Sequence, residues 1–340
     1  MKLGRFLAVG CAVVLTAACV LSPVRQSPTP TPTTAPPPTR TPAAVHSPTP
    51  KQPSSPDVLT ACDLPSQAQA MRSGQIPDWQ TLGLSTCYDL TLDLGVDGRS
   101  FTGTARITYA NLTSTPLNDL VFRLYPNAPV IYGGKLSVET TQVDGKEVTP
   151  QVFLADHTAL RLTLPQPLAV GASTVVEMNF TGQAAQDYGS DQVYGIFNLS
   201  HSGPVLALAD WYPLLAVRRE NGWEASEVLA EGDAVVSASE LYRVPLTVPK
   251  DWKVAATGSL LESHVDGDRW TGVYASGPVR EFTIAASPVF EQTTLDAGGV
   301  QINHWGLPEE EAPSREVLSE VTAAVKVFDQ DFGLYPFAEL

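Results

Sequence analysis

The sequence predicts an all-β body followed by a single long helix. Apolar and polar residues alternate from residue 88 onward, and no helical period interrupts the pattern for about 200 residues. Tight-turn dipeptides such as Asp97-Gly98 and Asp144-Gly145 separate the apolar segments. We therefore predict a large antiparallel saddle or sandwich of sheets. The alternative, an array of two immunoglobulin-like sandwiches, predicts a linker near the middle of the body, and the sequence has none.

The first strand shows the alternation most clearly. Tyr88, Leu90, Leu92 and Leu94 would share one face, and Asp89, Thr91 and Asp93 the other. Further strands are predicted near residues 101–111, 118–125, 136–143, 146–153, 158–165, 173–181, 204–209, 241–248, 253–261, 269–276, 279–287 and 299–305. The predicted β domain therefore extends over residues 88–305.

The period changes after residue 313. Apolar residues then recur at intervals of three and four, at Val317, Val321, Ala324, Val325, Phe328 and Phe332. Ser314 can cap the start of a helix and Gly333 can end it, which predicts a helix over residues 314–332. Because a lone helix cannot bury an apolar stripe, we expect residues 306–340 to be the start of a truncated second domain.

The charge of the chain excludes several classes of partner. Lys and Arg number 21 and Asp and Glu number 36, so the formal net charge is −15. Five of the basic residues and none of the acidic ones precede residue 57, which leaves 16 − 36 = −20 on the rest. Such a surface repels phosphate backbones, so we expect no nucleic-acid partner. It also excludes a polybasic membrane anchor on the body.

The first 18 residues have the layout of a secretory signal peptide. Lys2 and Arg5 precede an apolar run that is too short to span a bilayer, and small residues follow it. Small residues directly before Cys19 resemble a bacterial lipobox, although Thr16 stands where Leu is usual. We expect an exported lipoprotein, anchored to the membrane through lipid on Cys19, at the cell surface or on the periplasmic side. Ordinary secretion and an uncleaved N-terminal anchor are the alternatives.

A Pro, Thr and Ser rich linker follows Cys19 and continues to residue 56. Residues 57–87 form an N-terminal extension that contains Cys62 and Cys87. Cys11 lies in the predicted signal peptide and Cys19 is the predicted lipid site, so these two cysteines remain. In an exported chain they predict one disulfide, with two buried free thiols as the alternative.

Motifs for common catalytic chemistry are missing from the sequence. It contains no H-E-x-x-H, no G-x-S-x-G and no nucleotide-binding glycine loop. We therefore expect no catalytic residue and no metal ligand in this chain. What remains unusual is the stretch from Ala209 to Pro213, with Gly222-Trp223 after it. Such aromatic residues indicate either a corner of a sandwich or the wall of a binding site.

Several segments, in order, resemble one family. They are YDLTLDLGVDGRSFTGTARITYAN, LVFRLYPNAP, DWYPLLAV with NGW after it, YRVPLTVPKDWKVAATGSLLE and PVREFTIAASPVFE. Over residues 84–340 the chain resembles the N-terminal β domain of aminopeptidase-N-like zinc metallopeptidases, the gluzincin group. The last segment, VLSEVTAAVKVFDQDFGLYPFAEL, resembles the start of that family's α-rich, thermolysin-like catalytic domain.

The resemblance implies an activity that this chain does not complete. Members of the family remove N-terminal residues from peptide substrates with a bound zinc ion, and the zinc motif would lie after Leu340. We therefore expect the chain alone to be inactive, without a cofactor of its own. A Gln and a Glu in the family's T-Q-x-E-P stretch correspond to Asp210 and Tyr212 in A-D-W-Y-P. Asp210, Trp211 and Tyr212 are thus candidate substrate-binding residues, of which Asp210 would pair with the substrate's amino group.

A second function remains open at this point. The chain could be a stand-alone surface lipoprotein that binds peptide or glycan through an aromatic wall. Its candidate residues are Trp211, Tyr212, Trp223 and Trp252.

Overall fold

The computed structural model describes residues 58–186, 195–200, 204–230, 232, 235–308 and 311–340. The predicted signal peptide, the predicted lipid site Cys19 and the linker to residue 56 lie outside the described residues. Strands dominate the described part, and its one long helix lies near the C-terminus, which confirms the predicted all-β class. No helix in this part is both long and apolar enough to cross a membrane.

An eight-stranded sheet is the largest element of the fold. Its strands are β1 (Thr86–Leu94), β2 (Ser100–Ala110), β4 (Lys135–Val143), β5 (Lys146–Glu147), β8 (Ser173–Gln183), β15 (Leu241–Pro249), β17 (Ser259–Asp266) and β18 (Arg269–Ala275). They are ordered β17-β18-β15-β1-β2-β8-β4-β5. Neighbouring strands are antiparallel except β1 and β15, which are parallel.

Two smaller sheets and two hairpins complete the strand content of the described residues. The sheet ordered β12-β3-β7-β6 contains β3 (Leu117–Arg123), β6 (Gln151–Phe153), β7 (Ala159–Leu168) and β12 (Leu214–Leu215). The sheet ordered β16-β19-β11-β10-β9 contains β9 (Ala185–Gln186), β10 (Phe197–Leu199), β11 (Leu206–Leu208), β16 (Lys253–Ala256) and β19 (Ile284–Ser287). The hairpins pair β13 (Arg218–Arg219) with β14 (Gly222–Trp223), and β20 (Glu291–Asp296) with β21 (Gln301–Gly306).

The sheets enclose one large apolar core. The predicted alternation holds in β1, where Leu90, Leu92 and Leu94 are buried and Asp93 on the other face is exposed. Aromatic side chains fill much of this core. The Tyr88 ring stacks on the Tyr242 ring from β15, with 4.7 Å between the ring centroids. Burial on this scale is the main stabilising contribution to the body.

Two predicted strands are divided in two. The strand expected over residues 146–153 forms β5 and β6, which belong to different sheets. We expected a single strand over residues 253–261, but β16 ends at Ala256 and β17 begins at Ser259, in a different sheet. Gly258 lies between them with a φ of +83°, and a Cβ there would stand 2.1 Å from the Ala275 carbonyl oxygen. Only glycine fits this crossover between sheets. The predicted strand over 279–287 is likewise reduced to β19.

The N-terminal extension packs against the β body. It contains two short helices, α1 (Val58–Ala61) and α2 (Leu64–Gln69), and the structure confirms the predicted Cys62–Cys87 disulfide, with Cα atoms 5.6 Å apart. Met71 is buried, whereas Ile76 is half exposed. Polar contacts such as that of the Gln67 side chain with the Tyr242 carbonyl oxygen hold the segment, as apolar contacts do.

The C-terminal unit, which we define as residues 291–340, comprises β20, β21, the helix α3 (Glu311–Phe332) and the segment after it. It has a small core of its own, formed by Ala297, Val300, Ile302, Leu318 and Val325. The predicted helix is confirmed, but it does have a partner, because its buried side faces the β20–β21 hairpin. The predicted β domain includes that hairpin, and its boundary at residue 305 remains a prediction. Phe328 and Phe332 are exposed.

Candidate functional site

The stretch from Ala209 to Pro213 connects β11 to β12, which belong to different sheets. Asp210 adopts a φ of +50° at this connection. The left-handed region is uncommon for a residue with a side chain, although Asp tolerates it better than most. The surrounding contacts must therefore hold the backbone in this turn.

The Asp210 side chain faces the interior. It is only 1% exposed, and its carboxylate accepts a hydrogen bond from the Tyr132 hydroxyl, which is also buried. Burial raises the pKa of Tyr132 far above its usual value, and the negative charge of Asp210 raises it further. Tyr132 therefore stays protonated and remains a donor to the carboxylate.

Trp211 and Tyr212 hold the same turn in place through hydrogen bonds to one residue, Phe282. Both side chains are fully buried. The Trp211 indole Nε1 donates to the Phe282 carbonyl oxygen at 3.0 Å, and the Phe282 amide donates to the Tyr212 hydroxyl oxygen at 3.2 Å. The two rings thus bind both backbone polar groups of one residue, just before β19. This arrangement is a structural corner rather than an exposed aromatic wall.

The other two aromatic candidates lie apart. Trp223 is half buried, and its indole donates to Asp119 at 3.0 Å. Trp252 lines a cleft next to the turn. The structure therefore does not bring the four aromatic candidates to one surface. Substrate binding by Asp210, Trp211 and Tyr212 remains a prediction, since none of the three has more than 1% of its surface exposed.

The cleft beside the turn has a volume of about 1360 Å³. Its lining includes Ala207, Ala255 and Ala285, which are direct cross-strand neighbours on β11, β16 and β19. Its lining also includes aromatic residues from the body and from the C-terminal unit, namely Trp252, Trp270, Tyr274, Trp305, Tyr335 and Phe337. The volume exceeds that of ordinary small-molecule sites and suits an extended chain segment. Ala209 also lines it.

The residues present do not fit a metal ion. In the described ranges, no group of three or more His, Cys, Asp or Glu side chains is placed so that it could hold one. A protein zinc site needs three or four such ligands in one place. We therefore derive no catalytic step through zinc from this chain.

Sequence reasoning missed a buried carboxylate at the start of β15. Glu240 is 4% exposed and accepts hydrogen bonds from the Ser85 amide at 3.1 Å, the Ser85 hydroxyl at 2.7 Å and the Thr86 amide at 2.9 Å. Burial raises the pKa of Glu240 to about 7, although these donors oppose the shift. No local pattern could reveal this site, because its partners lie about 155 residues away in the sequence.

No protein-family model and no curated protein sequence matches the chain. Solved structures do match it. A mutant M1 zinc metallopeptidase from Deinococcus radiodurans is similar with a TM-score of 0.50 and 19% identity, over 75% of this chain and 55% of that one. The chain has the fold of an M1 zinc metallopeptidase.

The M1 enzyme without the mutation, from the same organism, matches with a TM-score of 0.49 and 19% identity over the same shares of the two chains. The chain thus spans about half the length of these enzymes. The predicted resemblance is confirmed at the level of the M1 fold. At this identity the likeness assigns no residue a role.

Proposed function

We propose that the chain supplies the β domain of an exported zinc aminopeptidase whose substrates are peptides with a free N-terminus. The observation that carries the proposal is the M1 fold over 75% of the chain. The order of the resembling segments, from the first strand to the final helix, supports it. In this proposal the zinc ligands belong to the part of an M1 structure that the chain does not match, and the 340 residues alone do not hydrolyse peptides.

The first experiment separates the domain from the whole enzyme. The coding sequence downstream of codon 340 is read for H-E-x-x-H, and both the chain and the longer product are assayed with aminoacyl nitroanilides, with zinc and with a chelator. We expect hydrolysis by the longer product only, lost with the chelator. Hydrolysis by the chain alone would refute its inactivity, and a downstream sequence without the motif would refute the aminopeptidase.

Asp210 is proposed to pair with the ammonium group of the substrate, since a carboxylate and an ammonium form a strong charge-assisted hydrogen bond. Its carboxylate is buried against Tyr132, so contact requires the turn at 209–213 to open toward the cleft that Ala209 lines. Trp211 and Tyr212 have the supporting role of holding the turn. In the active product, Asp210→Ala should raise KM for free peptides more than it lowers kcat. An unchanged KM would remove Asp210 from the site.

Export and lipid attachment at Cys19 are also part of the proposal. Their support is the sequence of the first 19 residues, in which a basic start, an apolar run and small residues precede the cysteine. Labelled palmitate should be incorporated by the full chain in a bacterial host and lost in Cys19→Ser. Cys11→Ser is the matched control, because it changes a cysteine inside the signal and should keep the label. Label that survives Cys19→Ser would refute the lipid site.

The cleft gives one observation in favour of a stand-alone binding module. Trp252, Trp270 and Trp305 line it, and aromatic rings bind both glycans and apolar peptide side chains. A glycan and peptide array probed with the chain, and with Trp252→Ala as its control, distinguishes the two functions. Saturable binding that Trp252→Ala abolishes would favour the module.

A further inference from the structure

The C-terminal unit is built differently from the body that it contacts. Its five core residues form a cluster separate from the large core of the sheets. The N-terminal extension lies between the C-terminal unit and the body and contacts both. This arrangement raises the question of what fixes the unit on the body.

The extension pairs with the C-terminal unit through its backbone. The Arg72 amide donates to the Pro336 carbonyl at 2.8 Å, and the Ala338 amide donates to the Ala70 carbonyl at 2.9 Å. The segment after α3 is hydrogen-bonded on its other side to β21, where the Gln301 amide donates to the Ala338 carbonyl at 2.8 Å. The extension therefore pairs with the edge of this segment at one antiparallel bridge, between Met71 and Phe337.

The Arg72 side chain joins two pieces of the same unit. One nitrogen donates to Asp329 on α3 at 2.7 Å and the other to the Gly298 carbonyl in the β20–β21 turn. The guanidinium is almost buried, with 10% of the side chain exposed, and Asp329 also accepts the Tyr335 amide at 2.7 Å. The amide of Tyr335, followed by Arg72, lowers the pKa of Asp329, so the pair stays charged. The planar guanidinium of an arginine can make these contacts together through two of its nitrogens, and the single ammonium of a lysine cannot.

Arg72 lies inside a covalently closed loop. The Cys62–Cys87 disulfide closes it, and Cys87 belongs to β1 in the middle of the large sheet. Within the loop, the side-chain nitrogen Nε2 of Gln67 donates to the Tyr242 carbonyl oxygen of β15 at 3.1 Å. At the root, Glu240 holds the amides of Ser85 and Thr86. The base of the loop is thus fixed to the body, while its tip holds the C-terminal unit.

We propose that residues 62–87, closed by the disulfide, are a clamp that fixes the C-terminal unit on the β body through Arg72. The disulfide limits how far the part of the loop around Arg72 can move. Because Arg72 contacts both α3 and the β20–β21 turn, it holds them in a fixed position on the body. Loss of either element should release the unit while the sheets stay folded. The inference does not rest on the proposed peptidase activity, since it concerns contacts that the chain makes by itself.

Hydrogen exchange of the full chain, followed by mass spectrometry, tests the clamp. Arg72→Ala removes two charge-assisted contacts, so we expect exchange in residues 318–340 to accelerate roughly tenfold or more, with β1, β2 and β8 unchanged. Arg72→Lys should give a smaller acceleration in the same peptides. Arg106→Ala is the matched control, because it removes an arginine from an exposed ion pair on the large sheet.

The disulfide is tested on folded wild-type protein by reduction, which avoids variants that fail to fold. Reduction should accelerate exchange in residues 64–72 and in the C-terminal unit together. Two results would overturn the clamp. One is an unchanged C-terminal unit after both reduction and Arg72→Ala, and the other is equal acceleration in β1, β2 and β8, which indicates general unfolding.

Discussion

In the β body several aromatic rings are fully buried, whereas in the C-terminal unit two phenylalanine rings are exposed. Trp211 and Phe282 have no exposed surface, but Phe328 is 58% exposed and Phe332 is 83% exposed. The body thus has an apolar core large enough to stabilise it. The C-terminal unit has a small core and depends on polar contacts from the extension. The difference shows that one chain can combine a self-sufficient region with a region that is held in place.

Removal of the Trp211 side chain should have the largest effect on the stability of the body. Trp211→Ala deletes a fully buried indole and leaves the Phe282 carbonyl without its donor. We expect a loss of about 4 kcal/mol in the free energy of unfolding, measured by urea denaturation. Val96→Ala is the control, because Val96 is 88% exposed. Equal losses for the two variants would contradict the claim that this core dominates the body.

The second largest effect is expected from pH, which should change the stability of the two regions in opposite directions. The pKa of Glu240 rises from 4.5 to about 7 on folding, so the folded state binds the proton more tightly. Stability from this group is therefore full below pH 4.5 and is lost as the pH rises through 7. The shift corresponds to a loss on the order of 3 kcal/mol.

Glu240→Gln should abolish this loss. Its amide oxygen can accept the Ser85 and Thr86 amides, and its NH₂ can donate to the Ser85 hydroxyl. Urea midpoints measured from pH 5 to pH 8 should fall for the wild type and stay level for Glu240→Gln. Parallel curves would show that Glu240 does not titrate in this range.

The C-terminal unit should respond to pH in the opposite direction. The pKa of Asp329 is lowered from 3.8 by the Tyr335 amide and Arg72, so the unit keeps its ion pair above that value and loses it as the pH falls below. Acid should therefore loosen the unit while it still favours the body. Asp329→Asn should remove the acid sensitivity of hydrogen exchange in residues 333–340. The same acid sensitivity in Asp329→Asn would assign it to another group.

The sequence predicts features that depend on local patterns and misses those that depend on residues far away in the chain. Period-two alternation in β1 and the i, i+4 stripe of α3 are local patterns, so they predicted these elements well. The strand break at Gly258 was missed, because only the approach of the Ala275 backbone requires glycine there. Arg72 and Glu240 were missed for a similar reason, since their partners lie far away in the chain. The aromatic residues at 211 and 212 were noticed, but only the structure shows that they are buried.

A cavity in the small core should have a local effect. Leu318→Ala removes a buried side chain that packs against the β20–β21 hairpin, so about 2 kcal/mol of local stability should be lost. Exchange should accelerate in α3 and the hairpin, with the urea midpoint of the body unchanged. Val317→Ala is the matched control, since Val317 is the adjacent residue and is 47% exposed. A shift in the midpoint of the body would show that the two regions unfold together.

The smallest effect is expected at the exposed ion pair of the large sheet. Arg106 and Glu177 are cross-strand partners whose side chains are 54% and 44% exposed, whereas the Arg72 and Asp329 side chains are 10% and 15% exposed. Water and salt screen the exposed pair, so Arg106→Ala should cost at most about 0.5 kcal/mol, and less in high salt. Urea denaturation at low and high salt measures this. A loss above about 1 kcal/mol would mean that exposure does not decide the worth of an ion pair here, and the contrast drawn between the two arginines would fail.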